Sequence, residues 1–383
     1  MAMVEAELME EVAAWRRAIH ADPEFGFEVQ DTAAFVAGKL RSFGVDVTEG
    51  VGGTGVVGVL RKGNGPLRIG LRADMDALQI TEQNVFDHVS RRPGYMHACG
   101  HDGHTAMLLG AARILAREVD FDGIVTFVFQ PAEEHGRGAG AMIDDGLFER
   151  FDIDEIYAVH NYPEWPLGTL ATRAGPAKAS EDNFEIRLVG KGGHAARPHM
   201  LNEALVAGCQ LVVALQTIVS RRADPLEHAV LSVTEFVTDG IRNVLPGNVT
   251  IRGDVRSFTP KTQELVEGQI RQISAGIAAT FGLTESVDYS HEFAATTNSP
   301  AETERAYAAA RAVRGMTLVA DCPPVMASDD FGLMLQHRPG NYAFLGNGTD
   351  SYPLHNPLYD FNDRAIPFGV GYFVELVRQF SAG

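Results

Sequence analysis

Cysteine is scarce in this 383-residue chain: three residues, Cys99, Cys209 and Cys322, far apart and odd in number. That excludes a disulfide framework and suits a reducing compartment. Positive charge is also short, with 32 Lys and Arg against 50 Asp and Glu and a net charge of −18. Nucleic acid and anionic membrane surfaces are therefore not expected as partners. No low-complexity tract and no membrane-spanning run stands out. The N-terminus "MAMVEAELMEEVAAWRRAIH" lacks the apolar core of a signal peptide and puts its acids before its bases, so a cytoplasmic protein is expected. No Gly-x-Ser-x-Gly elbow is present, which removes the usual sign of a serine hydrolase on an α/β sheet.

What remains is an ordinary globular composition, 45% hydrophobic and 21% charged, in a chain too long for one comfortable core. Two domains are expected. Leu8, Val12, Trp15 and Ile19 are spaced for one helix face, and a second helix is predicted at 30–43. "GTGVVGVLR", "PLRIGLRAD", "GIVTFVFQ" and "EIYAVHN" read as strands, the third as a continuous apolar run of the buried kind. Strands alternating with helices predict an α/β domain, mainly a parallel sheet with helices on both faces. From about Ala179 the rhythm changes to β-α-β-β-α-β, with helices at 202–221 and 260–281. That order predicts an inserted, ferredoxin-like α+β domain. The first domain would comprise 1–178 and 294–383 and the inserted one 179–293, with further helices at 300–314, 329–337 and 363–381 and a strand "NYAFLG".

In open α/β sheets ligands bind at the carboxyl ends of the strands. Here the strand ends run into Asp74 and Asp76, into Gln130, Glu133 and Glu134, into His160, and, after a glycine-rich loop, into His355. "YMHACGHDGHTAML" adds Cys99 and His101 just before a helix. A thiolate and an imidazole two residues apart suit zinc-like ions, but equally a buried cysteine beside a polar capping loop. A closed structural zinc site would want a second Cys or His pair at short spacing, and none is present. In "PAEEHGRGAG" one glutamate could bind metal while its neighbour serves as general base, or both could line a solvated loop. Asp74 and Asp76 could cap a turn or orient a ligand. His160 and His355, taken singly, read as core histidines. His97 and His104 read as structural or supporting residues. His194 projects from "LVGKGGHAARPH" in the inserted domain, and Asn243 and Arg256 are polar points there that could hold a carboxylate or serve the fold.

Taken together, "RRAIHADPEFGFEV", "LRADMDAL", "MHACGHDGH", "FQPAEEHGRGAGAMIDDG", "VHNYPEWPLG", "GKGGHAARPH", "NVLPGN", "SDDF" and "LHNPLYDFND" span nearly the whole chain. On these motifs the chain resembles the metal-dependent aminoacylase/carboxypeptidase amidohydrolases of the M20 metallopeptidases: hippurate hydrolases, N-acyl-amino-acid amidohydrolases and plant auxin-conjugate hydrolases. The resemblance implies a catalytic domain with a two-metal site and a lid and dimerisation domain. It implies Cys99, His101, Glu134, His160 and His355 as metal ligands, with Cys99 bridging, and Glu133 as general base and acid. Asp74 would be the carboxylate beside the site, with Asp76 the second choice. His194 would assist the oxyanion from the partner subunit of a homodimer, or of a dimer of dimers. Asn243 and Arg256 would contact substrate. The ions would be Zn or Mn, with Co or Ni as alternatives, and the substrate a small N-acyl amino acid. An aminopeptidase or dipeptidase on the same scaffold is the alternative activity, and a binding protein that has kept the fold is a more distant one. Asp329 in "SDDF" stands where the family usually has glutamate, and the segment "VFDHVSRRPGY" is less typical of it.

Overall fold

The computed structural model describes residues 2–379. The chain forms two compact units, one of Met1–Ala177, Thr297–Pro323 and Asp329–Gly383, the other of Lys178–Thr296 and Pro324–Ser328. The stretch 324–328, assigned from sequence to the first domain, joins the second unit because its backbone is captured there. Ala179 N–H donates to the carbonyls of Val325 (3.1 Å) and Ala327 (3.1 Å), and Arg256 donates to Ser328 Oγ (3.1 Å).

The first unit is built on an eight-stranded sheet. Its order is Asp46–Val51, Gly55–Lys62, Gly123–Gln130, Leu67–Asp74, Glu155–Tyr162, Gly340–Gly346, Thr169–Thr172, Thr317–Ala320. The middle four strands are mutually parallel. Every residue of Gly123–Gln130 is buried, as its uninterrupted apolar run requires. Antiparallel pairing enters towards the two edges. Three short strands, Asp46–Val51, Thr169–Thr172 and Thr317–Ala320, were not expected from the sequence; all lie at or next to an edge, where alternation is weak. Helix His101–Arg117 is buried along its first twelve residues, from His101 to Ala112. It packs between the sheet and helices Ala2–His20, Gln30–Phe43 and Ile366–Arg378. Val12 and Trp15 enter that core at the expected spacing. Helices Gly138–Asp144 and Phe331–His337 pack together beside strands Gly123–Gln130, Glu155–Tyr162 and Gly340–Gly346. Helix Gln30–Phe43 has no side-chain cap at its own first residue. Instead the Glu24 carboxylate accepts from the N–H groups of Asp31 (3.2 Å) and Thr32 (2.7 Å).

The second unit is a four-stranded antiparallel sheet, in the order Ala229–Thr238, Asn248–Ser257, Glu181–Val189, Thr284–Phe293. Helices Ala204–Thr217 and Pro260–Phe281 bury one face each in its core, giving the ferredoxin-like order. Thr259 caps the latter helix by accepting from Thr262 N–H (3.2 Å), and Pro260 supplies its first residue. Ala204–Arg222 is long and apolar enough to cross a membrane by length and composition only. Its Ala204, Ala207, Leu211, Leu215 and Ile218 are buried in this unit's own core, while Val206 and Val213 are exposed.

Candidate metal centre

The parallel strands of the first unit end on one edge, and the chain departs from regular backbone there. Ala132, just past Gly123–Gln130, has φ 52°, and His355 has φ 65°. Non-glycine residues rarely adopt such angles, and they persist where surrounding structure enforces them. Ala132 is tied by its N–H to the Gly26 carbonyl (3.1 Å), and His355 by its N–H to the Ala98 carbonyl (2.8 Å). Both ties lie beside candidate side chains: the first just before Glu133 and Glu134, the second between His355 and the Cys99 loop.

The structure brings five donors together from four distant segments. Ligand atoms of Cys99, His101 and His160 lie within 4.8 Å of one another, and so do those of Cys99, Glu134 and His355. Cys99 belongs to both groups, the position a bridging thiolate needs. Its Sγ is 3.5 Å from His160 Nε2, and Glu134 Oε2 is 3.7 Å from His355 Nε2. The imidazoles are oriented from behind. His101 Nδ1 donates to the Asp76 carbonyl (2.8 Å) and His160 Nδ1 to the Asn161 carbonyl (2.7 Å), leaving each Nε2 as the donor to a cation.

Two atoms in this group test whether it fits a cation. Among the described residues His101 Nε2 and Glu134 Oε1 are buried without a hydrogen-bond partner, although such groups are nearly always paired. They fall one in each donor group, so each group holds a buried polar atom left for a cation to satisfy. The residues present fit a metal ion.

Glu133 stands beside this set. Its Oε2 is 3.9 Å from His101 Nε2, and it shares a second cluster with Asp329 and Asp330. Burial, then the Asp329 carboxylate, then that of Glu134 push its proton affinity well above the usual carboxylate range. Glu134 itself is pushed up to about 7, chiefly by burial and against the pull of His101. Burial and Glu134 hold the Cys99 thiol well above its ordinary value in the absence of an ion. Cation binding must therefore displace protons.

Asp74, which ends its strand, and Asp76, two residues on, both hold neighbouring groups. Asp74 Oδ1 takes His104 Nδ1 at 2.6 Å, Oδ2 takes Arg72 at 2.6 Å, and Oδ2 stands 3.9 Å from His101 Nε2. Asp76 accepts the N–H groups of Glu133 (2.9 Å) and Glu134 (3.3 Å), fixing both glutamates, besides holding His101 through its carbonyl. His104 Nε2 lies 2.6 Å from Asn161 Oδ1, so both its nitrogens are engaged behind the site. Gly100 is required where it stands: its φ is 90°, and a Cβ would meet Asn161 Oδ1 at 2.2 Å. Among the described residues His97 has no hydrogen-bond partner for either nitrogen, and burial pushes its pKa down to about 3.

The remaining candidates lie in the second unit. His194 sits in a two-residue strand, Gly193–His194, paired with Val244–Leu245; its neighbour Ala195 donates to the Asn243 carbonyl (3.1 Å). His194 is exposed, and its Nδ1 accepts from Ala196 N–H (3.1 Å). Arg256 lies near the far end of Asn248–Ser257 and is engaged by Glu181 (2.7 Å) and Asp254 (2.9 Å). Sequence reasoning missed Arg16, His20, Arg72 and Asp330. The first two stand in "RRAIH", Arg72 in "LRADMDAL" and Asp330 in "SDDF", so the motifs pointed to them without assigning work.

A mainly parallel sheet whose strand ends gather five metal-type donors and a spare buried glutamate defines a metal-dependent hydrolase. The sequence profile of Peptidase family M20/M25/M40 matches residues 70–379, and this chain belongs to that family. It is 40% identical over 369 residues to a hippurate hydrolase of Campylobacter jejuni, covering 95% of each chain. It is 37% identical to the N-acetyl-L-cysteine deacetylase of Bacillus subtilis, over 92% of this chain and 83% of that one. The crystal structure of the Bacillus subtilis YXEP protein, a dinuclear metal binding peptidase of the M20 family, superimposes with a TM-score of 0.86 at 29% identity, covering 98% of this chain and 99% of that one.

Proposed function

We propose that this chain hydrolyses the amide bond of N-acyl amino acids, releasing a carboxylic acid and a free amino acid, with two divalent cations held by Cys99, His101, Glu134, His160 and His355. That it is a metal-dependent amidohydrolase follows from its family and from relatives named for hippurate and N-acetyl-L-cysteine. One observation carries the mechanism: Glu133 is buried beside the donor set, its Oε2 3.9 Å from His101 Nε2, and is crowded by Asp329 and Asp330. When bound, the cations acidify water and polarise a carbonyl. Glu133 takes a proton from the attacking water as the C–O bond forms. It returns that proton to the amine nitrogen as the C–N bond breaks, so one carboxylate serves both steps. Asp76 holds the Glu133 backbone, and Asp74 and His104 brace the floor behind His101. His194 stabilises the oxyanion, while Asn243 and Arg256 address the substrate carboxylate. Arg256 must loosen its ion pairs with Glu181 and Asp254 to do so.

The ions are Zn or Mn, with Co or Ni as alternatives; a thiolate in the set favours the softer ones. The second unit pairs two copies into a homodimer, or a dimer of dimers, and His194 acts in the partner's site. Supporting this, Ala229–Thr238 is an edge strand with Val230, Phe236 and Val237 exposed. Mixing His194→Ala with Glu133→Ala should restore activity in heterodimers; no recovery despite proven subunit exchange means a role within one chain. The protein works in the cytoplasm, in keeping with its three free cysteines. The deciding experiment is a hydrolysis panel of N-benzoyl- and N-acetyl-amino acids against dipeptides, using metal-stripped protein with each ion restored. Turnover of the acylated substrates only with ion is expected. A preference for dipeptides, or full turnover without ion, overturns the proposal.

A further inference from the structure

Arg72 is 1% exposed, two residues before the end of the central strand Leu67–Asp74, with acids from distant segments around it. Its Nε donates to Gln130 Oε1 (2.9 Å), its Nη1 to Asp74 (2.6 Å), and its Nη2 faces Asp330 (3.2 Å) and Asp329 (3.4 Å). Asp330 in turn accepts from Gln130 Nε2 (2.7 Å) and from Ala139 N–H (2.9 Å). Gln130 and Ala139 are the two ends of the segment that carries Glu133 and Glu134. Arg72 and Asp330 therefore form a buried clasp that closes this segment onto the end of Leu67–Asp74. Asp329 extends the clasp to Glu133 itself, since oxygens of Glu133, Asp329 and Asp330 lie within 4.8 Å of one another. Three carboxylates so close repel one another, and the guanidinium is the cation set against them.

We infer that Arg72 is a positioning residue for Glu133: through Asp329, Asp330 and Gln130 it fixes where the general base stands relative to the metal ligands. This rests on the reading of Glu133 as base. A lysine keeps the charge but, as a compact ammonium, cannot reach three segments in a fork. A misplacement of about 1 Å in a reacting group costs up to roughly 100-fold in rate.

The test compares Arg72→Lys, Asp330→Asn and Glu133→Gln with the native enzyme. Ion stoichiometry and affinity are measured by calorimetry on metal-stripped protein, and kcat and KM at saturating ion. Saturating ion reseats Glu134, so a defect that survives belongs to Glu133. Arg72→Lys should take up full ion yet lose roughly 10- to 100-fold in kcat, with KM within about twofold. Asp330→Asn, which keeps the shape and drops the charge, should show the same split more weakly and decides the matter if Arg72→Lys does not fold. A kcat unchanged, or fully restored by excess ion, overturns the inference. If Glu133→Gln stays active, the base assignment itself fails. If Glu133→Gln is inactive and Arg72→Lys normal, only the positioning role fails.

Discussion

His20 should make the stability of the first unit fall in mildly alkaline solution. The side chain is fully buried and gives both ring nitrogens to acids, Nδ1 to Asp102 (2.8 Å) and Nε2 to Glu82 (3.1 Å). Two donated protons require the imidazolium. Burial opposes that charge, but Asp102 and Glu82 outweigh it and push the group from 6.5 up to about 9. A shift of roughly 2.5 pH units, at 1.36 kcal/mol each, is about 3 kcal/mol. The folded value lies above the unfolded one, so this stabilisation is complete below pH 6.5 and lost as the pH rises through 9. Asp102 is held below its ordinary range by the same contact, so the two shifts describe one interaction and do not add. The assay is urea unfolding of metal-stripped native protein and His20→Gln at pH 6, 7.5, 8.5 and 9.5. Removing the ions matters because their binding also stabilises in a pH-dependent way. At pH 6 the variant should be several kcal/mol weaker, since Asp102 loses its buried partner. The gap should close by about 3 kcal/mol towards pH 9.5. Parallel curves over that interval would falsify the assignment of charge to His20.

Three further outcomes are expected. Glu133→Gln should keep its ions and lose roughly 10²- to 10⁴-fold in kcat; near-native turnover contradicts a general base. Cys99→Ala should lose metal by elemental analysis, and full occupancy removes it from the ligand set. Gly138→Ala should lower the unfolding temperature and the activity together, because its Cβ would sit 1.6 Å from the Pro131 carbonyl oxygen. Gly140→Ala, which meets only Leu333 at 3.5 Å, is the harmless control for thermal melting.

Legibility followed range along the chain. Helices Gln30–Phe43 and Pro260–Phe281 matched their predicted spans because apolar spacing and the glycines that end them, Gly44 and Gly282, are local to each segment. The strands Thr169–Thr172 and Thr317–Ala320, next to and at one edge, escaped because four residues carry too little pattern and depend on pairing with strands distant in the chain. The donor residues were visible as residue types at strand ends. Which atom faces which neighbour was not, since tautomer and orientation are set by groups such as the Asp76 carbonyl.

By itself the sequence determined the two-unit organisation, the alternation of strand and helix, and the chemistry on offer: a thiol, imidazoles and paired glutamates at strand ends. Those are local properties, set by side-chain identity and period. Tertiary structure alone decided that Arg72 meets Asp330 across 258 positions, that His20 grips Asp102 across 82, and that Asp329 crowds Glu133. Such contacts depend on how distant elements pack, and burial then amplifies each charge that packing brings close.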